Sequence, residues 1–240
     1  MKSINVEGIV LRETKVGDSD KILTVFTKQL GKISVSVPNA RGMKSKFTSA
    51  GVLSYSNYTL ICVKSGYRLI ECSGIHSFGQ LAYDYELFTL CVYFAEIIAA
   101  GEQEGSPNEL MLKLYLNTLY LLCEKRRQPR FIKAVFEMKA ACVLGFAPDL
   151  SSCGHCGGGL REFFFSKKEG AFLCENCKTT QEKNREGVAS AIEYIVNSPY
   201  NKIFSFKLSE DICDEFYRIC EAYITHHLEY SPKSLKYLNF

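Results

Sequence analysis

The amino-acid sequence predicts an α+β multidomain protein in which an N-terminal five-stranded β-barrel is followed by an α-helical domain with a cysteine-rich insert. Short apolar runs of period two, separated by turn residues, fill the first 78 residues. After them the apolar residues recur with a helical period. Four of the eleven cysteines are grouped between two helical stretches. The predicted domains are therefore the barrel at 1–78, the helical domain at 79–150 and 179–240, and the insert at 151–178.

The barrel is predicted from five strands and the turns between them. The strands are expected at Val6–Thr14, Ile22–Thr27, Lys32–Val37, Val52–Val63 and Tyr67–Cys72. Tight turns are expected at Leu30-Gly31 and Ser65-Gly66, and the polar connection 38–51 is expected to be a loop. Five short strands with one long connection favour a small closed barrel over an open sheet.

Five helices are predicted after the barrel. They are expected at about 81–100, 107–123, 131–144, 186–197 and 210–228. The first is apolar on most faces, so we expect it to be buried. Ser106 to Glu109 has the pattern of a capping box with Pro107 at the first helical position. Ser209 is expected to cap the last helix.

The clustered cysteines form two C-x2-C pairs. Cys153 and Cys156 are followed, after seventeen residues, by Cys174 and Cys177. This spacing falls in the range of a four-thiolate zinc site, since two intervening residues let both sulfurs of a pair face one tetrahedral ion. The sequence therefore predicts a zinc-ribbon-like insert in which these four cysteines bind Zn²⁺. Four thiolates close the coordination sphere, so the metal is expected to be structural.

The other seven cysteines stand singly in apolar runs, where a free cysteine behaves as a small hydrophobic residue. The odd total argues against a disulfide framework. No apolar stretch of the roughly 18–20 residues that a membrane span needs is present, and the N-terminus lacks a signal-peptide pattern. The chain is therefore expected in the cytoplasm, without a membrane partner.

Positive charge is concentrated in the first third of the chain. Residues 1–80 hold 11 Lys and Arg against 5 Asp and Glu, whereas the whole chain has a net charge of only +3. Small five-stranded barrels bind single strands through a basic groove and through aromatic side chains that stack on bases. Phe47, beside Lys44 and Lys46 in the long loop, is the best stacking candidate. A generic solvated basic surface is the alternative for any one of these cations.

Catalytic motifs are not recognisable. The sequence has no P-loop, no dinucleotide-binding glycine loop and no nucleophile elbow. Asp18 and Asp20 share a turn that is expected to be solvated. His226 and His227 are expected to complement the C-terminal dipole of the last helix. A binding protein rather than an enzyme is therefore favoured.

Several motifs together resemble the bacterial recombination mediator family RecO. They are the run GDSDKILTVFT followed by LGKI (17–33), the segments AR and KSKF (40–47), the two cysteine pairs after a helical block, and the closing HHL with KSLK (226–236). Each motif is modest alone, but they cover essentially the whole chain in the family's order.

This resemblance implies an OB-fold barrel and a nucleoid-associated protein of DNA repair and homologous recombination. It implies binding of single- and double-stranded DNA, annealing of single strands and partnership with RecR. It also implies contact with the C-terminal tail of the single-stranded-DNA-binding protein, indirect help in loading RecA, and no bond-making chemistry. The DNA contacts implied by the matching motifs are Arg12, Lys21, Lys32, Arg41, Lys44 and Lys46.

The segment 37–43 carries fewer cations than is usual in the family. Fewer phosphate contacts release fewer counterions, so we expect a lower DNA affinity, a weaker salt dependence and a greater dependence on RecR. An acidic partner tail would need an apolar groove edged by positive charge. Arg126, Arg127 and Arg130, expected in a loop beside two apolar helices, would supply that charge. The alternative is a solvated loop.

Two other functions stay open. A zinc-ribbon transcription- or RNA-associated module would prefer a structured RNA over mixed-sequence single strands. A metal-dependent hydrolase would degrade DNA during incubation, and the closed thiolate set argues against it.

Overall fold

The structure is a computed structural model that describes residues 3–40, 49–64, 66–179 and 183–239. The chain divides into two compact units. Unit 1 comprises Met1–Glu124 with Lys233–Asn239, and unit 2 comprises Lys125–Pro232. The predicted domain boundaries after residues 78, 150 and 178 stay predictions.

Unit 1 begins with a closed barrel of five strands, as the sequence predicted. The strands are β1 (Ser3–Val16), β2 (Asp20–Thr27), β3 (Gly31–Val37), β4 (Ser54–Val63) and β5 (Gly66–Ser77). Their order around the barrel is β1-β2-β3-β5-β4, with β4 returning to β1. The pairings are antiparallel except that of β3 with β5, where Val35 faces Tyr67 and Ser36 faces Arg68. This parallel contact closes the barrel.

Period-two alternation places one face of each strand in the barrel core. Buried and half-buried positions alternate along the whole of β3, and its inward residues Ile33, Val35 and Val37 join Leu23 and Leu60 in the core. The strands β1 and β5 are longer than predicted. Both strands pass through β-bulges, such as the one between Val10 and Arg12, where the pairing register with the neighbouring strand shifts. The strands continue beyond these bulges.

The first predicted helix is divided in two. A 3-10 turn (Gly79–Tyr83) precedes helix α1 (Tyr85–Gly101). The division occurs because Asp84 is extended and its carboxylate accepts hydrogen bonds from the backbone N–H groups of Glu86 and Leu87, both at 3.1 Å. Asp84 is therefore an N-cap. The expected burial of α1 is confirmed, since nine of its residues are buried.

The predicted capping box at Ser106 is wrong. Helix α2 (Glu109–Glu124) begins later, and Asn108 caps it: its side-chain oxygen accepts from Met111 N–H at 3.1 Å and its carbonyl accepts from Leu112 N–H at 3.2 Å. Ser106 packs instead against Gly31, where a Cβ would overlap the Ser106 backbone. Gly31 has a φ of +63°, so the turn before β3 needs glycine for both reasons.

The described residues of unit 2 form three helices and one hairpin. These are α3 (Pro129–Val143), β6 (Phe164–Ser166), β7 (Ala171–Leu173), α4 (Glu186–Asn197) and α5 (Glu210–His227). Helix α3 is buried along most of its length. Its Lys139 ammonium donates to the carbonyls of Ile195, Val196 and Ser198 at 2.9, 3.1 and 3.0 Å. These carbonyls lie at the end of α4, so Lys139 caps that helix.

After α5 the chain returns to unit 1. A 3-10 turn (Lys233–Tyr237) places Ser234 against α1, where its N–H and hydroxyl donate to the Glu96 carboxylate at 3.0 and 2.6 Å. Glu96, which interrupts the apolar run of α1, therefore holds the C-terminal segment.

The seven single cysteines are less uniformly buried than expected. Cys91 and Cys220 are buried, Cys62 is exposed, and Cys72, Cys123, Cys142 and Cys213 are half-buried. Cys62 is exposed because it lies near the end of β4, where the strand no longer faces the core. Within the described residues, no helix combines the length and the apolar character that crossing a membrane requires.

Candidate metal centre and nucleic-acid surface

The four predicted metal ligands come together in unit 2. The Sγ atoms of Cys153, Cys156, Cys174 and Cys177 all lie within 4.8 Å of one another, and those of Cys156 and Cys174 are 3.8 Å apart. A tetrahedral ion with Zn–S bonds of about 2.3 Å holds its sulfurs about 3.8 Å apart, whereas a disulfide needs about 2.05 Å. The four thiols are free. The donor set therefore fits one Zn²⁺ ion.

Two glycines shape the first pair of cysteines. The N–H of Gly154 donates to the Phe172 carbonyl at 3.0 Å, and a Cβ on Gly154 would lie only 2.6 Å from the Ala171 Cβ. Gly157 has a φ of +72°, and its N–H donates to the Cys153 carbonyl at 2.8 Å. The loop therefore turns tightly enough to direct both thiols of the pair towards β7.

Two of the four thiols, those of Cys153 and Cys177, have pKa values shifted in opposite directions. Burial raises the pKa of Cys153, but backbone N–H groups of Cys156, Cys174 and His155 lower it more, to about 6. The Cys174 N–H lies 3.3 Å from the Cys153 sulfur. Hydrogen bonding with the Cys156 thiol, followed by burial, raises the pKa of Cys177 to about 12. Because zinc binds thiolates, its charge would favour loss of the remaining protons.

A hairpin lies beneath the cysteines. Strands β6 and β7 pair antiparallel, and the buried side chains of Phe164 and Leu173 pack against Cys153. The hairpin turn contacts α5, since the Gly170 carbonyl lies 2.9 Å from His227 Nε2. The predicted C-terminal position of His227 is confirmed, and its ring has this additional contact.

Asn184 is a supporting residue that the sequence did not reveal. Its side-chain oxygen accepts from Phe165 N–H at 2.5 Å, and its amide donates to Glu215 at 2.7 Å. Its own N–H donates to the Phe163 carbonyl at 2.7 Å. This buried side chain therefore joins the hairpin to α5. No local pattern marks it, because its partners lie 19 and 31 residues away.

The barrel cations predicted to contact DNA have different surroundings. Arg12 is exposed on β1 and has no ion pair within the described part of the chain. The Lys21 ammonium lies 2.7 Å from the Glu13 carboxylate across the β1–β2 hairpin. Lys32 donates to the Ala99 carbonyl in the last turn of α1. Of these three, Arg12 alone has neither an ion pair nor a side-chain hydrogen bond within the described part of the chain.

The remaining predicted DNA contacts, Arg41, Lys44, Lys46 and Phe47, lie outside the described residues. The structure therefore adds no contacts to the sequence argument for this loop.

The predicted partner-binding arginines are not all in a loop. Arg126 and Arg127 precede α3, but Arg130 lies in its first turn, where Pro129 starts the helix. Arg130 lies 2.6 Å from Asp214 and over the Tyr217 ring. Arg127 lies over the Phe131 ring, 5.4 Å from its centre. Arg127 and Arg130 therefore each lie over an aromatic ring. A surface with both cations and rings suits a peptide that is both anionic and apolar.

The closed barrel, the helices that follow it and the four-cysteine cluster define an OB-like protein with a candidate zinc site. Two family models match the chain: Recombination protein O N terminal over residues 1–78, and Recombination protein O C terminal over residues 82–236. The chain belongs to the RecO family of DNA repair and recombination proteins.

Similar proteins span the full length of the chain. A DNA repair protein RecO from Acetivibrio thermocellus is 34% identical, with 99% of this chain and 97% of that protein covered. The proteins of the same name from Caldicellulosiruptor bescii and Thermoanaerobacter sp. are 32% and 29% identical. The coverage is 100% of this chain in both, and 99% and 98% of those proteins.

Proposed function

We propose that this chain is a recombination mediator that binds single- and double-stranded DNA on its barrel and anneals complementary single strands. The observation that carries the proposal is a closed OB-like barrel with concentrated positive charge in a chain of the RecO family. Such barrels hold the backbone electrostatically and stack bases on aromatic rings, which suits strands of any sequence. A protein of this kind acts at the nucleoid, in the bacterial cytoplasm.

The proposed DNA contacts differ in strength. Arg12 and the loop residues Arg41, Lys44 and Lys46 contribute most, with Phe47 stacking on a base. Lys21 contributes less because Glu13 partly compensates its charge. Lys32 contributes least because its ammonium already binds a helix carbonyl.

The proposed metal role is structural. Zn²⁺ held by the four cysteines would fix the two loops and the β6–β7 hairpin, a segment with a very small core of its own. A four-thiolate set leaves no coordination position for an activated water. The chain is therefore proposed to act by binding and not by cutting or joining strands.

The proposed partners are RecR, which would strengthen DNA binding, and the C-terminal tail of the single-stranded-DNA-binding protein. Arg126, Arg127 and Arg130 would meet the acidic groups of that tail, with Arg130 contributing less because Asp214 partly compensates its charge. Nearby rings such as Phe131 would meet its apolar end. Together these contacts would place the protein on coated single strands and indirectly assist RecA loading.

Annealing of two complementary labelled strands coated with the single-stranded-DNA-binding protein tests the proposal. The chain is expected to accelerate annealing, to do so more strongly with RecR, and to leave both strands intact. Strand shortening would contradict the binding role, and unchanged annealing with and without RecR would overturn the mediator function.

The tail contact has its own test. Arg126→Glu with Arg127→Glu is expected to weaken binding of the tail peptide by about tenfold, because two cations are reversed beside an acidic ligand. Lys167→Glu with Lys168→Glu changes the net charge equally at exposed positions in the β6–β7 turn and should leave affinity unchanged. Equal affinity in both double variants would remove this surface from the proposal.

A further inference from the structure

A groove on unit 2 has no role in the proposed DNA binding. It has a volume of about 510 Å³ and lies between one face of α4 and the segments on either side of the first cysteine pair. This volume is within the range of about 300–1,000 Å³ that is typical of ligand pockets. It is large enough for a few side chains of a peptide.

Five apolar residues form the floor of the groove, although polar atoms supply more of its exposed lining. Pro148 and Ala189 are buried, and Leu150, Phe163 and Val196 are half-buried, although all five line the groove. An aliphatic or aromatic side chain placed here would be removed from water against apolar surface, which favours binding. The floor therefore suits an apolar side chain.

The rim of the groove is mostly acidic. Asp149, Glu186 and Glu193 are exposed and line it together with a single cation, Arg161. Asp149 stays ionised in any physiological buffer because donors from Ser151 and Ser152 lower its pKa to about 2. We call this site, with its apolar floor and these four charged residues, the acidic groove.

The rim glutamates differ in ion pairing from the neighbouring Glu162. The Glu162 carboxylate lies 2.7 Å from the Lys183 ammonium. For Glu186 and Glu193, no ion pair is found within residues 3–40, 49–64, 66–179 and 183–239. Lys183 interacts with Glu186 only at longer range, since its ammonium is paired with Glu162. The two rim glutamates therefore make no ion pair in this part of the chain, and their carboxylates are accessible to a cation of a bound partner.

We propose that the acidic groove docks a segment of a partner protein that presents an apolar side chain next to a lysine or arginine. The apolar side chain would enter the floor, and the cation would lie between the rim carboxylates. Arg161 would donate to a carbonyl or carboxylate of the same segment. DNA does not fit, because three carboxylates oppose its phosphates. The docking site is independent of the proposed function of the barrel.

Selection of random twelve-residue peptides displayed on phage, with the full-length protein as bait, tests the proposal. Enriched peptides are synthesised with a fluorescent label and titrated against four proteins: the unaltered chain, Glu193→Lys, Ser190→Tyr and Glu210→Lys. Glu193→Lys reverses a rim charge, and Ser190→Tyr adds bulk inside the groove without changing charge. Glu210→Lys is the control, an exposed helix carboxylate that does not line the groove.

Peptides with a Lys or Arg beside an apolar residue are expected to be enriched. Their affinity should fall about fivefold in Glu193→Lys, since one rim charge of modest strength is reversed. It should fall at least tenfold in Ser190→Tyr and stay constant in Glu210→Lys. Circular dichroism of each variant checks that the protein is folded.

Three results would overturn the proposal. One is enrichment of acidic peptides that bind through the groove, and another is a set of peptides whose affinity ignores both groove variants. The third is concentration-dependent self-association that Ser190→Tyr abolishes, because the occupant would then be a second copy of this chain. Failure of the DNA assays would leave the proposal untouched.

Discussion

Replacing Lys32 should lower stability and change DNA binding little, whereas replacing Arg12 should weaken DNA binding and change stability little. Lys32→Met keeps most of the apolar stem but removes the ammonium that donates to Ala99 in the last turn of α1. A hydrogen bond from a charged donor contributes about 1.5–3 kcal/mol to stability. A cation at a helix C-terminus contributes about 0.3–1 kcal/mol, and the two contributions overlap because the same ammonium makes both interactions. Lys32 is partly exposed, so we expect a loss of about 1–2 kcal/mol.

This loss is measurable by urea denaturation. It corresponds to about a fivefold to thirtyfold change in the unfolding equilibrium and to a Tm lower by about 2–8 °C for a chain of this size. The chain has 14 tyrosines and no tryptophan, so far-ultraviolet circular dichroism or tyrosine fluorescence is the suitable signal. DNA affinity should change little.

Arg12→Met is the matched comparison. Arg12 is exposed, so its replacement should change stability by less than about 0.5 kcal/mol. It should remove one phosphate contact and reduce the slope of log K against log salt by about 0.7 for a single strand. If Lys32→Met left stability unchanged and weakened DNA binding as much as Arg12→Met, the internal role of Lys32 would be refuted.

Three further predictions concern the metal centre. Gly154→Ala should reduce zinc retention, because its Cβ would lie 2.6 Å from the Ala171 Cβ. Gly159→Ala should retain zinc, because no atom lies within 4 Å of the added Cβ. Elemental analysis of both variants after dialysis measures the zinc that each retains. Asn184→Ala should lower stability by about 1–3 kcal/mol, since it leaves the Phe165 N–H without its acceptor, and equal unfolding midpoints would contradict this. Removal of zinc with a chelator should increase amide hydrogen exchange in residues 151–178 while the barrel keeps its protection; loss of protection in the barrel as well would show that the metal stabilises more than the insert.

The features that follow from local pattern were predictable. The alternation in β3 identifies its buried face, and the spacing of Cys153, Cys156, Cys174 and Cys177 identifies a metal site. Both signals lie within short stretches of the chain. The barrel and the candidate zinc site could therefore be inferred from the amino-acid sequence alone.

The features that depend on distant partners were not predictable. Asn108 caps α2 instead of Ser106, because Ser106 packs against Gly31, which lies 75 residues earlier. Lys32 has the sequence context of a surface cation, yet it binds a carbonyl 67 residues away. The acidic groove likewise brings together α4 and segments near the first cysteine pair, so neither stretch indicates it alone.

The most direct test of the DNA-binding barrel is a titration of a labelled mixed-sequence single strand at two salt concentrations. The unaltered chain is compared with the triple variant Arg41→Glu, Lys44→Glu and Lys46→Glu. A second triple variant, Lys202→Glu, Lys207→Glu and Lys233→Glu, changes net charge equally at exposed positions outside the barrel. We expect salt-sensitive binding that collapses only in the first variant. Binding that survives the loop changes, or that collapses equally in both variants, would contradict the barrel as the DNA site.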